Sequence, residues 1–191
     1  RRPPALPVRS ALLGVGTAIV VVVAALTFSA SLDRLANDHQ RWGFGWDLML
    51  DTPPDGATRL TDELAANRDL DGVSLLTTNF TLIDRSDGRR AYGLDRIRGA
   101  IGYALRSGLQ PVGPDEVVIG PDTARDLHLR IGDNMNVAVC PCTFDATKTV
   151  MGKVRVVGTA LFPEDDDGNF TDALGFSGTG FERHVGDSNN T

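Results

Sequence analysis

The chain has 191 residues and carries 19 basic against 25 acidic side chains, a net charge of −6 at neutral pH. Lysine occurs only at Lys148 and Lys153, and no stripe of basic residues is present, so nucleic-acid binding has no electrostatic basis. Two cysteines are too few for a domain built on a disulfide framework.

The first feature along the chain is Ser10–Leu32, a run of 23 residues without a charge. A helix of about 20 apolar residues crosses the ~30 Å hydrocarbon core of a bilayer, so this run predicts a transmembrane helix at residues 10–32, surrounded by membrane lipid. The main alternative is a cleaved secretory signal, whose apolar region usually has about 7–15 residues. The longer run, and its helical continuation over residues 33–41 as a stalk, favour an uncleaved anchor.

Flanking charge predicts the orientation of this helix. Arg1, Arg2 and Arg9 precede the span without an acidic residue, whereas the residues beyond it are net acidic. The positive-inside rule therefore predicts that residues 1–9 are a cytoplasmic flank in the cell membrane and that the main domain is extracytoplasmic.

The remaining pattern mixes helices and strands without a strict βαβ alternation. About 160 residues are enough for one domain with its own core. Periodicity and turn residues predict strands at 46–51, 73–83, 90–97, 134–140 and 153–161, a short strand within the block 113–120, and helices near 58–68 and 121–128. We therefore expect an α+β extracytoplasmic core domain over residues 42–175, attached to one N-terminal transmembrane helix. The polar, glycine-rich residues after Pro163 have no clear pattern, and 176–191 are interpreted as an incomplete C-terminal part of the same domain.

Glycines mark several junctions between these elements. Gly120 and Gly132 stand where strand meets helix and helix meets strand, and such positions often need unusual backbone angles. Gly158 interrupts a strand pattern, which indicates a bulge or a tight bend.

The order of these features resembles the first half of FtsX-like ABC-transporter permeases. The stretches Pro114–Gly120, Thr123–Leu127, Ile131–Asp133 and Val154–Ala160 are similar to the extracytoplasmic core domain of MacB-type permeases, and the resemblance covers roughly residues 7–175. It implies a cytoplasmic ATP-binding partner, a dimer of permease halves or subunits, and a role in export, lipid or lipoprotein extraction, or envelope control. Such permeases have four or more spans and this sequence has one, so we expect a fragment of a longer permease or a truncated product.

Cys140 and Cys142 are the most reactive pair in the sequence. Outside the cytoplasm they can form a strained local disulfide, remain two thiols, or take a redox or metal role, and the sequence leaves these alternatives open. His39, His128 and His184 are scattered and suit surface or capping positions. The acidic residues 164–167 with Asp172 fail the EF-hand pattern, which favours a solvated loop.

No catalytic motif is present. The chain lacks a Gly-x-x-x-x-Gly-Lys-Ser/Thr sequence, since Val154 follows Gly152-Lys153, and it has no recognisable nucleophile–base pair. We therefore expect neither an enzyme nor a cofactor or metal site. Phe44 and Trp46, with Trp42, suit core packing after the stalk better than an interfacial aromatic belt. The alternative function is a single-pass, membrane-anchored extracellular binding module without an ATPase partner.

Overall fold

In a computed structural model, residues 8–37, 43–85, 87–140, 151–163 and 169–184 are described. The chain divides into two compact units, Arg1–Asp38 and His39–Thr191. The first unit contains helix α1, Val8–Asn37, 30 residues long and uninterrupted. Three of its hydroxyl groups are satisfied within the helix, because Thr17, Thr27 and Ser31 donate to the carbonyls four residues earlier at 2.8–2.9 Å.

The apolar part of α1 is long enough to cross a membrane. In the described part of the chain it is the one helix that passes this test, over Ala11–Arg34, with a mean hydropathy of 2.5 and no part of its apolar window buried. The predicted apolar helix is therefore confirmed as a helix. Its length and composition fit a membrane anchor and also a signal sequence.

The second unit is a mixed sheet with short helices, which confirms the α+β class. Its elements in chain order are α2 (Pro54–Ala66), β1 (Val73–Ile83), β2 (Asp87–Arg98), β3 (Ala104–Gly108), β4 (Glu116–Ile119), α3 (Pro121–Asp126), β5 (Asn134–Cys140), β6 (Gly152–Leu161), β7 (Ala173–Ser177) and α4 (Gly178–His184).

Six of the seven strands close into a ring in the order β6-β4-β7-β2-β1-β5, and β5 pairs back to β6. Val137 in β5 marks the closure, because it pairs with Ile83 of β1 and with Gly152 of β6. Arg155 of β6 pairs with both Glu116 of β4 and Asn134 of β5, so β4 and β5 lie on opposite edges of β6. The seventh strand, β3, lies on the same edge of β6 as β5 and pairs with residues 158–161 of β6.

Apolar side chains pack on both faces of the sheet. One cluster gathers valines of β4, β5 and β6 and Leu174 of β7 with Phe176 and Phe181, and a second, on the opposite face, surrounds Phe162. The Phe162 ring is stacked on Tyr92 at 5.3 Å and meets Tyr103 edge-on at 5.6 Å. The Tyr103 hydroxyl donates to the carbonyls of Tyr92 and Phe176 at 2.8 and 2.7 Å, and burial raises the pKa of Tyr103 well above its usual 10.0.

Three expectations about the elements are wrong. Residues 46–51 form no strand, although their residues alternate, because no neighbouring strand pairs with them. β3 was not predicted, since Ala104–Gly108 has mainly polar, exposed residues on the edge of the sheet. The region after Pro163 contains β7 and α4; β7 is buried and therefore lacks the polar alternation by which a half-exposed strand is recognised.

Of the three predictions about glycines, two are confirmed and one is wrong. Gly132 has a φ of +102°, as predicted for a position that favours glycine. Gly120 has an ordinary φ of −67°, so the expectation of an unusual angle is wrong, and the reason for glycine is space, because the Thr171 carbonyl occupies the place of a Cβ. At Gly158 the predicted irregularity is confirmed, since Val117 pairs with Val156 and Val118 with Gly158, leaving one extra residue in β6.

Candidate functional site

The most reactive residues of the sequence cannot be placed. Cys142 lies outside the described residues, as does the side chain of Cys140 at the end of β5, so the disulfide stays a prediction. His39, Trp42 and residues 164–167 also lie outside them.

The two histidines in the described residues differ in role. His128 is exposed, follows α3 with a φ of +56°, and its Nδ1 lies 3.2 Å from the Asp126 carbonyl, which fits the predicted capping position. His184 is buried, so the expectation of a surface position is wrong. No sequence pattern indicated this burial, because the helix that carries His184 was not recognised.

The His184 imidazole lies under the loop that precedes β4. Its Nε2 is 3.1 Å from the Pro114 carbonyl and 3.4 Å from Oδ1 of Asp115. Oδ2 of Asp115 is 3.4 Å from the Arg183 guanidinium, one residue earlier on α4. Gly152 packs so closely on the imidazole that a Cβ would collide with it. These contacts fix α4 to the 113–115 loop.

The same loop forms one wall of a shallow groove, which we call the β4–β6 groove. Its volume is about 440 Å³, and it is lined by Gly113, Pro114, Asp115, Glu116, Asn134, Lys153, Val154 and Arg155. The loop brings acidic residues to the groove, and the first residues of β6 bring basic ones.

Glu116 is held by the loop itself. Its Oε2 accepts hydrogen bonds from the Val112 and Gly113 N–H groups at 3.0 Å each, and its Oε1 lies 3.2 Å from the Arg155 guanidinium. The two backbone hydrogen bonds, with Gly113 the stronger cause, lower the pKa of Glu116 from its usual 4.5. The carboxylate therefore forms part of the groove wall, and its oxygens are already bound by groups of the same domain.

The chemistry of the groove favours recognition of a polar group. Among its charged lining residues, Asp115, Glu116 and Arg155 have ion-pair partners, whereas Lys153 has none within the described structure. The Lys153 ammonium and the Asn134 amide, which line the same groove, can bind an anionic or carbonyl group. In the part of the chain that is described, no group of three or more His, Cys, Asp or Glu side chains is placed to hold a metal ion.

A second polar network joins α3 to the residues before β7. Asp172 lies 2.7 Å from Nε of Arg89 and accepts a 2.8 Å hydrogen bond from the Thr123 hydroxyl. Asp122 accepts a hydrogen bond from the Thr171 hydroxyl, which is the main cause that lowers the pKa of Asp122 from its usual 3.8. Asp172 is therefore a half-buried structural partner, and the expectation of a solvated residue is wrong for it.

The aromatic residues near the start of the second unit pack within it. Phe44 and Trp46 are half-buried and meet edge-on at 5.8 Å. Gly43 lies against the backbone of Phe162, and Gly45 against the Gly102 carbonyl. These contacts agree with the packing interpretation of Phe44 and Trp46.

Comparison of the chain with models of known protein families gives no match. A comparison with curated proteins gives no match either.

Proposed function

We propose that the chain is the membrane-anchored part of an ABC-transporter permease, whose extracytoplasmic domain is moved by a cytoplasmic ATP-binding subunit. The observation that carries the proposal is the continuity of α1 from Val8 to Asn37. At 1.5 Å per residue its 30 residues span about 45 Å, against a hydrocarbon core of about 30 Å. A helix that runs on beyond the bilayer can transmit a displacement, whereas a tether needs no such length.

Two further features support this proposal. The hydroxyls of Thr17 and Thr27 are bonded to carbonyls of their own helix, so neither needs water within the apolar span. The second unit is built on a closed ring of strands, and such a ring moves as one body more readily than an open sheet does. The output would be export, extraction of lipid or lipoprotein, or control of envelope enzymes.

The test uses two insertions of equal length after Asn37 in the complete transporter. Three glycines add bending freedom and cost about 1 kcal/mol of helix stability each, whereas three alanines keep the helix. We expect the glycine insertion to abolish ATP-dependent transport and to leave surface expression and domain folding unchanged. The alanine insertion should retain more activity.

Equal activity of the two insertion variants would contradict a transmitting helix. The chain would then be better described as a single-pass anchored binding module, which does not require a partner ATPase.

A further inference from the structure

The segment Asp47–Thr52 exposes apolar side chains without pairing its backbone. The side chains of Leu48, Met49 and Leu50 are 72%, 45% and 51% exposed, three in succession. The backbone of this segment makes no hydrogen bond in the described structure. Its alternation nevertheless places Leu48 and Leu50 on one face of an extended strand, with the two aspartates and Met49 on the other. The segment therefore has the sequence pattern of a strand but pairs with no strand in the described structure.

Both ends of this segment are fixed. On one side, Gly43 and Gly45 are in close contact with the backbones of Phe162 and Gly102. On the other side, Pro53 leads directly into α2. The Arg98 guanidinium holds the end of that helix by donating to the carbonyls of Ala65, Asn67 and Leu70. The segment is therefore presented at a defined place and is not a free tail.

Among the described residues, β1 has a sheet edge that is only partly covered. β1 pairs with β2 along its whole length, but β5 covers the other edge at Phe80–Ile83. Residues Ser74–Asn79 have no strand partner on that edge within the described structure, and they are in continuous register with β2. The six residues are uncharged and contain no proline. An open edge of this kind is a template for another strand.

We propose that Asp47–Thr52 of one copy adds as a strand to the Ser74–Asn79 edge of a second copy of this chain. The two stretches have equal length, and both leave backbone donors and acceptors open. In this arrangement Leu48 and Leu50 can lie beside Leu76, which packs on the core around Phe162. Burial of the exposed leucines would provide the driving force.

Charge and strand geometry exclude the competing pairings within such a dimer. Antiparallel pairing of the segment with its own copy, centred on Met49, would set Asp47 opposite Asp51, and like charges directly opposite destabilise a sheet. The edge of β3 is interrupted at Arg106, where the register shifts, and ends at Gly108 with a φ of +82°. Bulges of this kind protect an edge from pairing. In β1 the register shift lies before Ser74, so Ser74–Asn79 itself is continuous.

The pairing is reciprocal, since each copy offers one segment and one edge. Such an exchange closes a two-fold dimer and does not propagate into a filament. If α1 anchors both copies in one membrane, their local concentration rises and favours the exchange. The dimer does not depend on an ATPase partner, so it can fail while the proposed permease function stands, and the reverse also holds.

The first experiment compares Met49→Pro with Met49→Thr in the full chain, reconstituted in detergent micelles. Proline removes the backbone N–H at the centre of the segment, which makes no backbone hydrogen bond within the described structure. Threonine keeps this N–H, removes the same methionine side chain and has a high strand propensity. We expect the wild type and Met49→Thr to be dimers by light scattering. Met49→Pro should dissociate at concentrations about tenfold higher or more.

The second experiment places the two stretches together directly. Differently tagged copies carrying Leu50→Cys and Thr78→Cys, each with Cys140→Ser and Cys142→Ser, are mixed and oxidised. Thr78 is exposed and lies on the same face of β1 as Leu76. We expect a disulfide between the two tagged copies, and none when Arg125→Cys, on exposed α3, replaces Thr78→Cys. A monomeric wild type, a dimer unaffected by Met49→Pro, or equal cross-linking of the control pair would overturn the proposal.

Discussion

Truncation of Phe162 to alanine tests the aromatic centre of the second unit. The side chain is fully buried, stacked on Tyr92 and edge-on to Tyr103. Removal of a buried phenylalanine costs about 3–5 kcal/mol, and the ring pairs add about 0.5–1.5 kcal/mol each. We therefore expect the unfolding free energy to fall by about 4 kcal/mol or more. This is a large share of the roughly 5–15 kcal/mol that stabilises a domain.

Thermal unfolding followed by near-ultraviolet circular dichroism measures this effect, because the signal reports on the packed tyrosines and not on α1. A loss of about 4 kcal/mol corresponds to a fall in Tm of roughly 8–16 °C for a domain of this size. Phe80→Ala is the matched control, since the Phe80 side chain is 57% exposed and the Arg90 guanidinium lies 5.5 Å from its ring centre. A fall no larger than that of the control would refute the assignment of Phe162 to the core.

Four further predictions concern other parts of the chain. The pKa of Glu116 in the folded protein is below 4.5. Its contribution to the unfolding free energy is therefore complete above that pH and is lost as the pH falls through the folded pKa. The unfolding free energies at about pH 7 and pH 3 should differ more for the wild type than for Glu116→Gln. Gly120→Ala should lower the unfolding free energy by about 1–3 kcal/mol, because the new Cβ meets the Thr171 carbonyl. Gly56→Ala, in open space within α2, should raise the unfolding free energy by about 0.5–1 kcal/mol in the same denaturant titration. If Cys140 and Cys142 form a disulfide, a thiol reagent should label them only after reduction, and labelling of the unreduced protein at both positions would show that they are free. Protease added to intact cells should digest the residues after 42 if the domain is extracytoplasmic; complete protection would reverse the orientation.

The strands β1 and β5 were the most predictable part of the fold. Residues 73–83 and 134–140 were predicted with the bounds that β1 and β5 have, because β-branched residues and flanking turns mark them clearly. The start of α2 was set four residues late, since Pro53-Pro54 suggests a turn until Pro54 is recognised as the first residue of a helix.

The parts that were missed depend on tertiary context. Residues 46–51 have a strand pattern but no partner, and pairing is not encoded in one segment alone. The buried position of His184 follows from the packing of α4 against β2 and β7, and from the space that Gly152 leaves for the imidazole. In the β4–β6 groove, Glu116 and Lys153 are 37 positions apart in sequence, and no local spacing relates them.

The place of β7 in the sheet has a consequence for how the protein is made. Among the described strands β7 comes last in sequence, yet it lies between β4 and β2, and its Leu174 pairs with Ala91, 83 positions earlier. During synthesis the edges of β2 and β4 that face β7 therefore remain unpaired until residue 177 has emerged. Pairings of such long separation close slowly, and exposed edges aggregate in the meantime. We therefore expect the nascent chain to bind a chaperone until β7 has been synthesised.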